Sequence, residues 1–348
     1  MRRRGDTFKM KIIVTGGAGF IGSNFIRYWL DRYSNDEIVN LDALTYAGRP
    51  ENLTDISERH GQRYRFVQAD IADEAQVTPV LESSRADLIV NFAAESHNSL
   101  AIVAPGRFFR TNVIGTQTLL EASRRLGVAR FHHISTCEVY GDLDLDSSDM
   151  FSEESPYRPR TPYNASKAGA DMAVRAYFET FSLPVTISNC CNNYGPYQYP
   201  EKLIPLFTTN LLDNIPVPIY RQSQNRREWL HVLDHCRAID AVIRRGRAGE
   251  TYNVGSGIEK SVEEITELLL RALGKSDNLK RYVEDRPGHD RRYLLDSRKI
   301  RSELGWSPEV TFEGGLQETI EWYRANPAWW RPLKTEGPVR EDAWGKRT

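Results

Sequence analysis

Short apolar runs alternate with longer amphipathic stretches through the first half of the chain. Strand-length apolar runs separated by helical patterns predict βαβ units around a parallel sheet. The runs are apolar on both sides, as expected of strands whose two faces are both covered by helices. The predicted strands are 12–14, 38–41, 66–68, 88–92 and 131–135, and the first predicted helices are 19–32 and 113–125.

The pattern changes in the second half, where prolines interrupt short apolar runs. Helical periodicity returns at 262–273 and at 312–324. Such a mixture of loops and a few regular elements predicts a smaller lobe beside the first domain. The prolines concerned are Pro196, Pro200, Pro205, Pro216 and Pro218.

These patterns predict a Rossmann-type doubly wound α/β domain at 10–193 and a smaller α/β substrate lobe at 194–333. Part of 228–256 is expected to pack back on the first domain. Residues 1–9 are predicted to be a disordered leader and 334–348 a flexible tail, because neither segment shows periodicity. Ligands of such folds bind in the crevice outside the carboxyl ends of the parallel strands.

Composition indicates an ordinary globular protein. Apolar residues make up 40% of the 348 residues, charged residues make up 27%, and the formal net charge is -1. This balance favours neither nucleic acid nor a membrane as the partner. The four cysteines show no metal-ligand spacing, so we predict no metal site and a reducing cytoplasm as the compartment. The first apolar run is too short for a signal sequence or a membrane span.

A glycine-rich turn joins the first predicted strand to the first predicted helix. Glycines at such a turn let a pyrophosphate approach the backbone, and the helix N-terminus supplies free N–H groups and a partial positive charge. A tight turn that binds nothing is the alternative explanation of the same glycines. The candidate cofactor-binding residues of the turn are Gly16, Gly19, Phe20, Ile21 and Gly22.

Acidic residues follow the next two predicted strands. Asp42 stands at the distance from the glycine turn expected of an acid that binds the adenosine ribose hydroxyls. A carboxylate there would repel a 2′-phosphate, so NAD is favoured over NADP. Asp70 and Ile71 follow the third strand and could flank the adenine, although an aspartate at a strand end is more often a turn or helix-cap residue.

A tyrosine and a lysine four residues apart open a further predicted helix. This spacing places Tyr163 and Lys167 on one helical face, one turn apart. A nearby ammonium and a cationic nicotinamide ring stabilise a phenolate, so Tyr163 could deprotonate a sugar hydroxyl as hydride leaves for NAD. Thr136 follows the strand at 131–135 and could hydrogen-bond the same hydroxyl. The alternative is a chance spacing, which many helices contain.

Longer motifs accompany these features. With them the sequence, from about Met10 to Leu333, resembles the extended short-chain dehydrogenases that act on nucleotide sugars, and most closely the dTDP-glucose 4,6-dehydratases. The resemblance implies NAD as the cofactor and a nucleotide diphosphate sugar as the substrate. The motifs are NFAAESH at 91–97, STCEVYG at 135–141, NNYGPYQ at 192–198, PEKLIP at 200–205, REW at 227–229 and DRPGHDRRY at 285–293.

The resemblance also implies a mechanism and a set of site residues. In that family C4 of the hexose is oxidised, a glutamate removes the C5 proton, water leaves from C6, and the hydride returns to C6. The match implies that Glu138 is this glutamate and that Ala93 belongs to the cofactor site. The implied substrate-binding residues are His97, Thr136, Asn193, Lys202, Leu203, Arg227, Asn253, Arg286 and His289.

The residue before Glu138 departs from the family pattern. The family usually has aspartate there, as the acid that protonates the departing C6 hydroxyl, whereas this chain has Cys137. A protonated thiol donates weakly, and the related GDP-mannose dehydratases carry serine at this place. Dehydration therefore stays the expectation, with Cys137 as a candidate acid. The alternative is that Cys137 is a small apolar residue and that Glu138 or a water protonates the hydroxyl.

Two further departures indicate an altered substrate pocket. NSLA at 98–101 replaces Val-Asp-Arg-Ser, and RQS at 221–223 replaces Gly-Asp-Gly. A different nucleotide sugar, a 5,6-unsaturated product or 4-epimerisation is therefore an alternative to 4,6-dehydration. A catalytically silent NAD-binding subunit is the alternative from another class, and the retained Thr136, Tyr163 and Lys167 argue against it.

Two helical stretches correspond to the pair that forms a four-helix dimer interface in the family. They lie at 113–125 and 164–181, so the resemblance implies a homodimer. The alternative is that their apolar positions pack on the sheet of the same subunit.

Overall fold

The computed structural model describes residues 9–221, 224–284 and 291–335. The strands are β1 (Lys11–Thr15), β2 (Glu37–Asp42), β3 (Tyr64–Gln68), β4 (Leu88–Asn91), β5 (Arg130–Thr136), β6 (Val185–Cys190), β7 (Asn192–Tyr194), β8 (Val217–Tyr220), β9 (Arg226–His231), β10 (Thr251–Val254), β11 (Glu259–Ser261), β12 (Lys280–Val283) and β13 (Arg292–Tyr293). The helices are α1 (Phe20–Arg32), α2 (Thr54–His60), α3 (Glu74–Ser84), α4 (Asn98–Val103), α5 (Pro105–Phe108), α6 (Thr116–Leu126), α7 (Pro162–Phe181), α8 (Leu203–Leu212), α9 (Val232–Arg245), α10 (Val262–Leu273), α11 (Arg298–Leu304), α12 (Phe312–Ala325) and α13 (Pro327–Thr335).

Seven parallel strands form the central sheet, in the order β10-β6-β5-β4-β1-β2-β3. The strand order reverses between β1 and β4, so the loops that follow these two strands diverge and open a crevice at the carboxyl edge. This topology confirms the predicted Rossmann-type α/β class. All five strands predicted from apolar runs are present, and their ends differ from the prediction by no more than two residues.

Helices cover both faces of this sheet because the strands present apolar side chains to both. Ile12 and Val14 of β1 pack into a cluster with α1 and α9. Ile13, between them, packs on the opposite face with α3, α6 and α7. All three side chains are buried. The alternation follows from the two-residue period of a β-strand, and it explains why β1 reads as a continuous apolar run.

The helix predicted at 113–125 begins differently in the structure. Phe109–Gly115 form a π-helical segment that leads directly into α6. Within it Asn112 is buried, and its side chain accepts the Glu95 N–H at 2.8 Å and donates to Ser166 Oγ at 2.8 Å. These tertiary hydrogen bonds hold the wider turn against α7. Apolar periodicity carries no information about them, so the prediction missed the segment.

The smaller lobe is built around β9, which pairs with β7 and β13 in parallel and with β11 in antiparallel orientation. A separate parallel pair joins β8 to β12. Helices α8, α10 and α12 bury apolar side chains against these strands, among them Phe207, Leu269 and Ile320. Two elements of the second half attach this lobe to the first domain: α9 packs on α1, and β10 extends the central sheet beside β6.

The last described helix continues into the segment predicted as a tail. Trp330 is buried in α13 and its indole donates to Tyr323 O at 2.7 Å, while Lys334 Nζ donates to Asn210 Oδ1 at 2.8 Å. The helix therefore includes residues 334 and 335. The remainder of the predicted tail, and residues 1–8 of the predicted leader, lie outside the described residues. Within the described ranges, no helix is long and apolar enough to cross a membrane.

Candidate active site

A cavity of about 1430 Å³ lies between the carboxyl edge of the central sheet and the smaller lobe. The ends of neighbouring strands, or the loops just after them, contribute its walls, through Gly16, Asp42, Ala93, Thr136 and Cys190. This is the crevice expected at the switch point of a doubly wound sheet.

The glycine turn forms one end of the cavity, and close approach explains its glycines. A Cβ on Gly16, whose φ is +68°, would lie 2.6 Å from Ala93 N. A Cβ on Gly22 would lie 2.4 Å from Gly16 O. Gly19 caps α1 without a side-chain hydrogen bond, so the first N–H groups of the helix face the cavity free of side-chain partners. This bare helix N-terminus fits the pyrophosphate of NAD.

Asp42 lies beside the turn and is almost fully buried. Its Oδ2 accepts the Ala18 N–H at 2.9 Å and its Oδ1 accepts the Leu44 N–H at 2.8 Å. Burial raises the pKa of this carboxyl, and the two backbone hydrogen bonds lower it. The carboxylate therefore holds the glycine turn in place, and Asp42 lines the cavity.

Asp70 and Ile71 also line the cavity. Asp70 Oδ1 accepts the Ala72 N–H at 2.9 Å, and Oδ2 pairs with Arg110 at 2.6 Å. Asp70 thus forms the turn that its position at a strand end favours. Asp70 also lies in the cavity wall, and its contact with the adenine stays a prediction.

Tyr163 and Lys167 lie in the first two turns of α7, which Thr161 caps by accepting the Asn164 N–H. Both side chains are buried, and both reach the cavity wall together with Thr136. Lys167 Nζ donates to Ile134 O at 2.7 Å, which fixes the ammonium between α7 and β5. The structure therefore brings together the three residues that the sequence predicts for oxidation.

The pKa of Tyr163 differs from the simple expectation of an activated phenol. Burial raises it well above the ordinary value, Glu138 raises it further, and a hydrogen bond with Thr136 lowers it. The side chains alone thus leave the phenol protonated. A low pKa at Tyr163 requires an additional positive charge in the cavity.

Glu138 follows Thr136 in a 3₁₀ turn (Cys137–Tyr140), where Thr136 Oγ1 accepts the Glu138 N–H at 3.3 Å. The carboxylate lines the cavity, and its Oε2 accepts a hydrogen bond from Asn98 Nδ2 at 3.2 Å. Asn98 Oδ1 in turn accepts from Thr161 Oγ1 at 3.3 Å. Asn98, one of the departures from the family pattern, therefore connects Glu138 to the start of the helix that carries Tyr163.

Cys137 is the one predicted catalytic residue that does not line the cavity. Its side chain is 1% exposed and belongs to a core cluster with Val139, Tyr140 and Ala168. Burial raises the pKa of the thiol well above its ordinary value, and the charge of Glu138 raises it further. The thiol is therefore protonated. This position favours the reading of Cys137 as a packing residue, and its role as an acid stays a prediction.

Other predicted substrate residues divide between cavity and core. His97, Asn193, Lys202, Leu203 and Arg227 line the cavity. Asn253 does not: it is fully buried in β10, accepts from Tyr140 OH at 2.9 Å and donates to Phe151 O at 2.9 Å. Asn253 thus lies in the core of this structure rather than in the cavity wall, and its contact with the substrate stays a prediction. Arg286 and His289 lie outside the described residues.

Tyr46 and Glu201 are among the cavity residues that the sequence did not predict. Tyr46 OH donates to Glu201 Oε1 at 2.8 Å, and His97 Nε2 lies 3.3 Å from Glu201 Oε2. Glu201 stands in the PEKLIP motif, which was a usable signal. Tyr46 lies in an irregular loop after β2, and no pattern in the sequence marks such a residue.

Residues 13–319 match the model of a family described as GDP-mannose 4,6 dehydratase. The chain belongs to this family. The dTDP-glucose 4,6-dehydratase of Streptomyces niveus is 51% identical over 330 residues, which are 94% of this chain and 96% of the relative. The dTDP-glucose 4,6-dehydratase of Salmonella typhimurium is 47% identical over 94% of this chain and 96% of its own length.

A solved structure of this family agrees with the fold. The dTDP-glucose 4,6-dehydratase of Streptomyces venezuelae, solved with NAD bound, superposes with a TM-score of 0.89 at 50% identity. The alignment covers 93% of this chain and 100% of that one. Membership of the dehydratase family confirms the resemblance inferred from the sequence motifs. The described residues contain no group of three or more potential metal ligands, and the four cysteines are free and buried.

A dehydratase whose glycine turn cradles a dinucleotide should not tolerate a side chain at Gly22. We expect Gly22→Ala to lower the free energy of unfolding by about 1–3 kcal/mol, because its Cβ would overlap Gly16 O. We also expect NAD affinity to fall by about tenfold or more, equivalent to about 1.4 kcal/mol. Thermal unfolding and NAD titration of the cofactor-free protein would measure both.

The matched control is Gly106→Ala, since a Cβ at that position meets no atom within 4 Å. We expect this substitution to be neutral or to stabilise by about 0.5 kcal/mol, with NAD affinity unchanged. Equal losses in the two variants would contradict the role assigned to close approach at Gly22.

Proposed function

We propose that this chain is an NAD-dependent lyase that converts dTDP-glucose to its 4-keto-6-deoxy sugar. The observation that carries the proposal is the position of Glu138, whose carboxylate lines the same cavity as Thr136, Tyr163 and Lys167. Oxidation or epimerisation at C4 requires no carboxylate beside the tyrosine. Dehydration requires one, because a base has to remove the C5 proton. The names of the relatives, at about half identity over nearly the whole chain, support the substrate.

The oxidation step depends on Tyr163, whose phenolate accepts the proton of the C4 hydroxyl while Thr136 holds that hydroxyl by a hydrogen bond. Bound NAD would supply the hydride acceptor and a positive charge beside the phenol. The glycine turn, Asp42 and Lys167 are the residues that would hold the cofactor. Because burial raises the pKa of Tyr163, the buried ammonium of Lys167 has to be retained for the phenolate to form.

The elimination step depends on Glu138. A ketone at C4 makes the C5 proton acidic, and the carboxylate, oriented by Asn98, removes it as hydroxide leaves C6 and takes up a proton to depart as water. The same carboxyl can later return a proton to C5. The hydride removed from C4 would be returned from the cofactor to C6, so the overall reaction releases one water, leaves the sugar at the same oxidation level and consumes no external oxidant.

The decisive experiment is product analysis by NMR after incubation of the purified enzyme with dTDP-glucose in D₂O. We expect a 4-keto-6-deoxy sugar that carries deuterium at C5, because Glu138 exchanges its proton with solvent. A 5,6-unsaturated product or a 4-epimer would replace the proposed reaction by another of this family. Absence of turnover on dTDP-, UDP- and GDP-hexoses would indicate a silent NAD-binding subunit.

The packing of Cys137 leads to a separate prediction. We expect Cys137→Ala to retain kcat within about threefold, because the thiol lies in the core and outside the cavity wall. Cys236→Ala is the matched control, since Cys236 is equally buried but packs in a different cluster, with α1. A loss of tenfold or more that is confined to Cys137→Ala, measured in the dehydration assay, would assign the missing acid to this thiol.

We also propose that the chain forms a homodimer through the π-helical segment, α6 and α7. Large apolar side chains on these elements are exposed in the single chain. Monomeric proteins rarely expose large apolar patches. Size-exclusion chromatography with light scattering should show a dimer, and Ile114→Glu together with Met172→Glu should yield a monomer. A wild-type monomer at micromolar concentration would contradict the proposal. The exposed side chains are Phe109, Ile114, Leu126, Met172 and Phe181.

We propose the cytoplasm as the compartment. The support is chemical: all four cysteines are buried and free, which suits a reducing environment. Cell fractionation followed by detection of the native protein would test this placement.

A further inference from the structure

A chain of buried polar side chains runs beneath Lys167 and has no part in the mechanism described so far. It begins at the end of β1 with Thr15, crosses β4 and β5 at Asn91 and His133, and ends at Asp171, one turn beyond Lys167 on α7. Each of these side chains is at most 1% exposed apart from Lys167, which is 4% exposed. None of the four partners lines the cavity.

The hydrogen bonds that link these buried side chains all run in one direction, from Thr15 through Asn91 to His133. Thr15 Oγ1 accepts the Ala93 N–H at 3.4 Å, so its proton goes to Asn91 Oδ1 at 2.6 Å. Asn91 Nδ2, which can only donate, then lies 3.1 Å from His133 Nδ1. His133 Nδ1 must therefore be the acceptor, and the neutral ring carries its proton on Nε2.

His133 Nε2 faces two groups at equal distance. Lys167 Nζ lies 3.4 Å away and Asp171 Oδ1 lies 3.4 Å away. Because two donors cannot bond each other, Asp171 Oδ1 is the nearest acceptor for the Nε2–H. This contact is electrostatic rather than an aligned hydrogen bond, since Oδ1 has no hydrogen-bond partner among the described residues. The ring lies 3.4 Å from both the ammonium and the carboxylate.

The other oxygen of Asp171 is held by two hydroxyls. Oδ2 accepts from Ser135 Oγ at 2.7 Å and from Tyr157 OH at 3.0 Å. These donors favour the ionised carboxylate, although burial raises its pKa to about 6. Above that pH an anion thus lies inside the protein next to the lysine.

A buried ammonium needs such an anion. Burial lowers the pKa of Lys167, and the charge of Asp171 is the largest influence that raises it. Burial lowers the pKa of His133 as well, and the charge of Lys167 lowers it further. The ring is therefore neutral and adds no competing charge. Tyr157, Arg175 and Tyr140 also interact electrostatically with Asp171, and Cys190 also raises the pKa of Lys167.

We propose that Asp171 and His133 are positioning residues that keep Lys167 charged and fixed in the active site, and that the chain through Asn91 and Thr15 sets the tautomer of His133. The inference rests on the proposed function, in which the charge of Lys167 supports the phenolate of Tyr163. It extends the functional unit beyond the residues that touch the cavity. It also connects the strand end beneath the glycine turn to the catalytic lysine.

Asp171→Asn tests the charge, because the amide keeps the shape of the carboxylate. We expect kcat at pH 8 to fall about tenfold, and the alkaline midpoint of the kcat profile to move down by about one pH unit, as Lys167 loses its proton earlier. KM should stay within about twofold, since Asp171 does not contact the substrate. Ser135→Ala is the matched control, because it removes a hydrogen bond to the same carboxylate but leaves its charge.

An alkaline midpoint in Asp171→Asn that coincides with those of Ser135→Ala and the wild type would overturn the proposal. Lost activity with an unchanged midpoint would mean that Asp171 serves packing alone, which also overturns it.

The second measurement needs no substrate and is made on the wild-type protein. In ¹⁵N-histidine-labelled wild type, NMR should show His133 as a neutral ring protonated on Nε2 from pH 6 to pH 9, with the signal assigned by its absence in His133→Gln. An Nδ1-protonated ring, or titration near pH 6.5, would overturn the proposal. Because this result does not depend on turnover, it separates failure of the positioning network from failure of the proposed dehydration.

Discussion

Tyr163→Phe should lower kcat by about 10³-fold, although it removes only one oxygen atom. The phenol oxygen is the group in the oxidation pocket that can accept the proton of the C4 hydroxyl, and Thr136 and Lys167 line the cavity beside it. KM should change by less than about threefold, because most substrate contacts lie elsewhere in the cavity. Steady-state kinetics on dTDP-glucose would measure both constants.

Tyr64→Phe is the control for loss of a tyrosine hydroxyl in the same domain. Tyr64 OH accepts from Asn40 at 3.0 Å and lies outside the cavity wall. We expect its kcat to stay within about twofold of wild type. If Tyr163→Phe retained a tenth of the activity, the base for the C4 hydroxyl would have to be another group.

Glu138→Gln should lower the rate of dehydration by about 10²–10⁴-fold while leaving oxidation at C4 possible. The amide can still accept the hydrogen bond from Asn98, but it cannot take up the C5 proton. The corresponding observable is solvent exchange: deuterium should no longer enter C5 of the sugar in D₂O. NMR of the recovered nucleotide sugar would follow this exchange directly.

Glu153→Gln is a suitable control for this substitution. Glu153 is a partly buried carboxylate that accepts the Asn253 N–H at 2.8 Å, and it lies outside the cavity wall. Its variant should exchange the C5 proton at the wild-type rate. Exchange at that rate in Glu138→Gln would assign the C5 base to a different residue and would remove the observation on which the proposed function depends.

Local patterns predicted the first domain well, for physical reasons. Strands buried on both faces have to be apolar throughout, so β1 and β4 are visible as short apolar runs. The glycines at 16, 19 and 22 are visible because close backbone approach excludes a side chain there. The spacing of Tyr163 and Lys167 needs only a regular helix, which α7 supplies.

Contacts between distant segments could not be predicted from local patterns. Asn253 matches a family position, but only the fold shows that its side chain bonds Tyr140 and Phe151 in the core. The π-helical turn before α6 depends on Asn112, whose partners are 17 and 54 residues away. The hydrogen-bond partners of Asn253 and Asn112 lie far away along the sequence, so periodicity and motif matching could not reveal these contacts.

The sequence by itself determined the fold class, the glycine turn and the placement of Tyr163 and Lys167 one helical turn apart. Each depends on short-range rules, namely strand apolarity, glycine at a close approach and helical spacing. Only the tertiary structure decided which residues face the cavity: it placed Glu138 in the wall and Cys137, its neighbour, in the core. It also placed His133 within 3.4 Å of both Lys167 and Asp171, because β5 and α7 pack together only in the folded chain. Burial and electrostatic environment are properties of that packing, and they set the charge on which the chemistry depends.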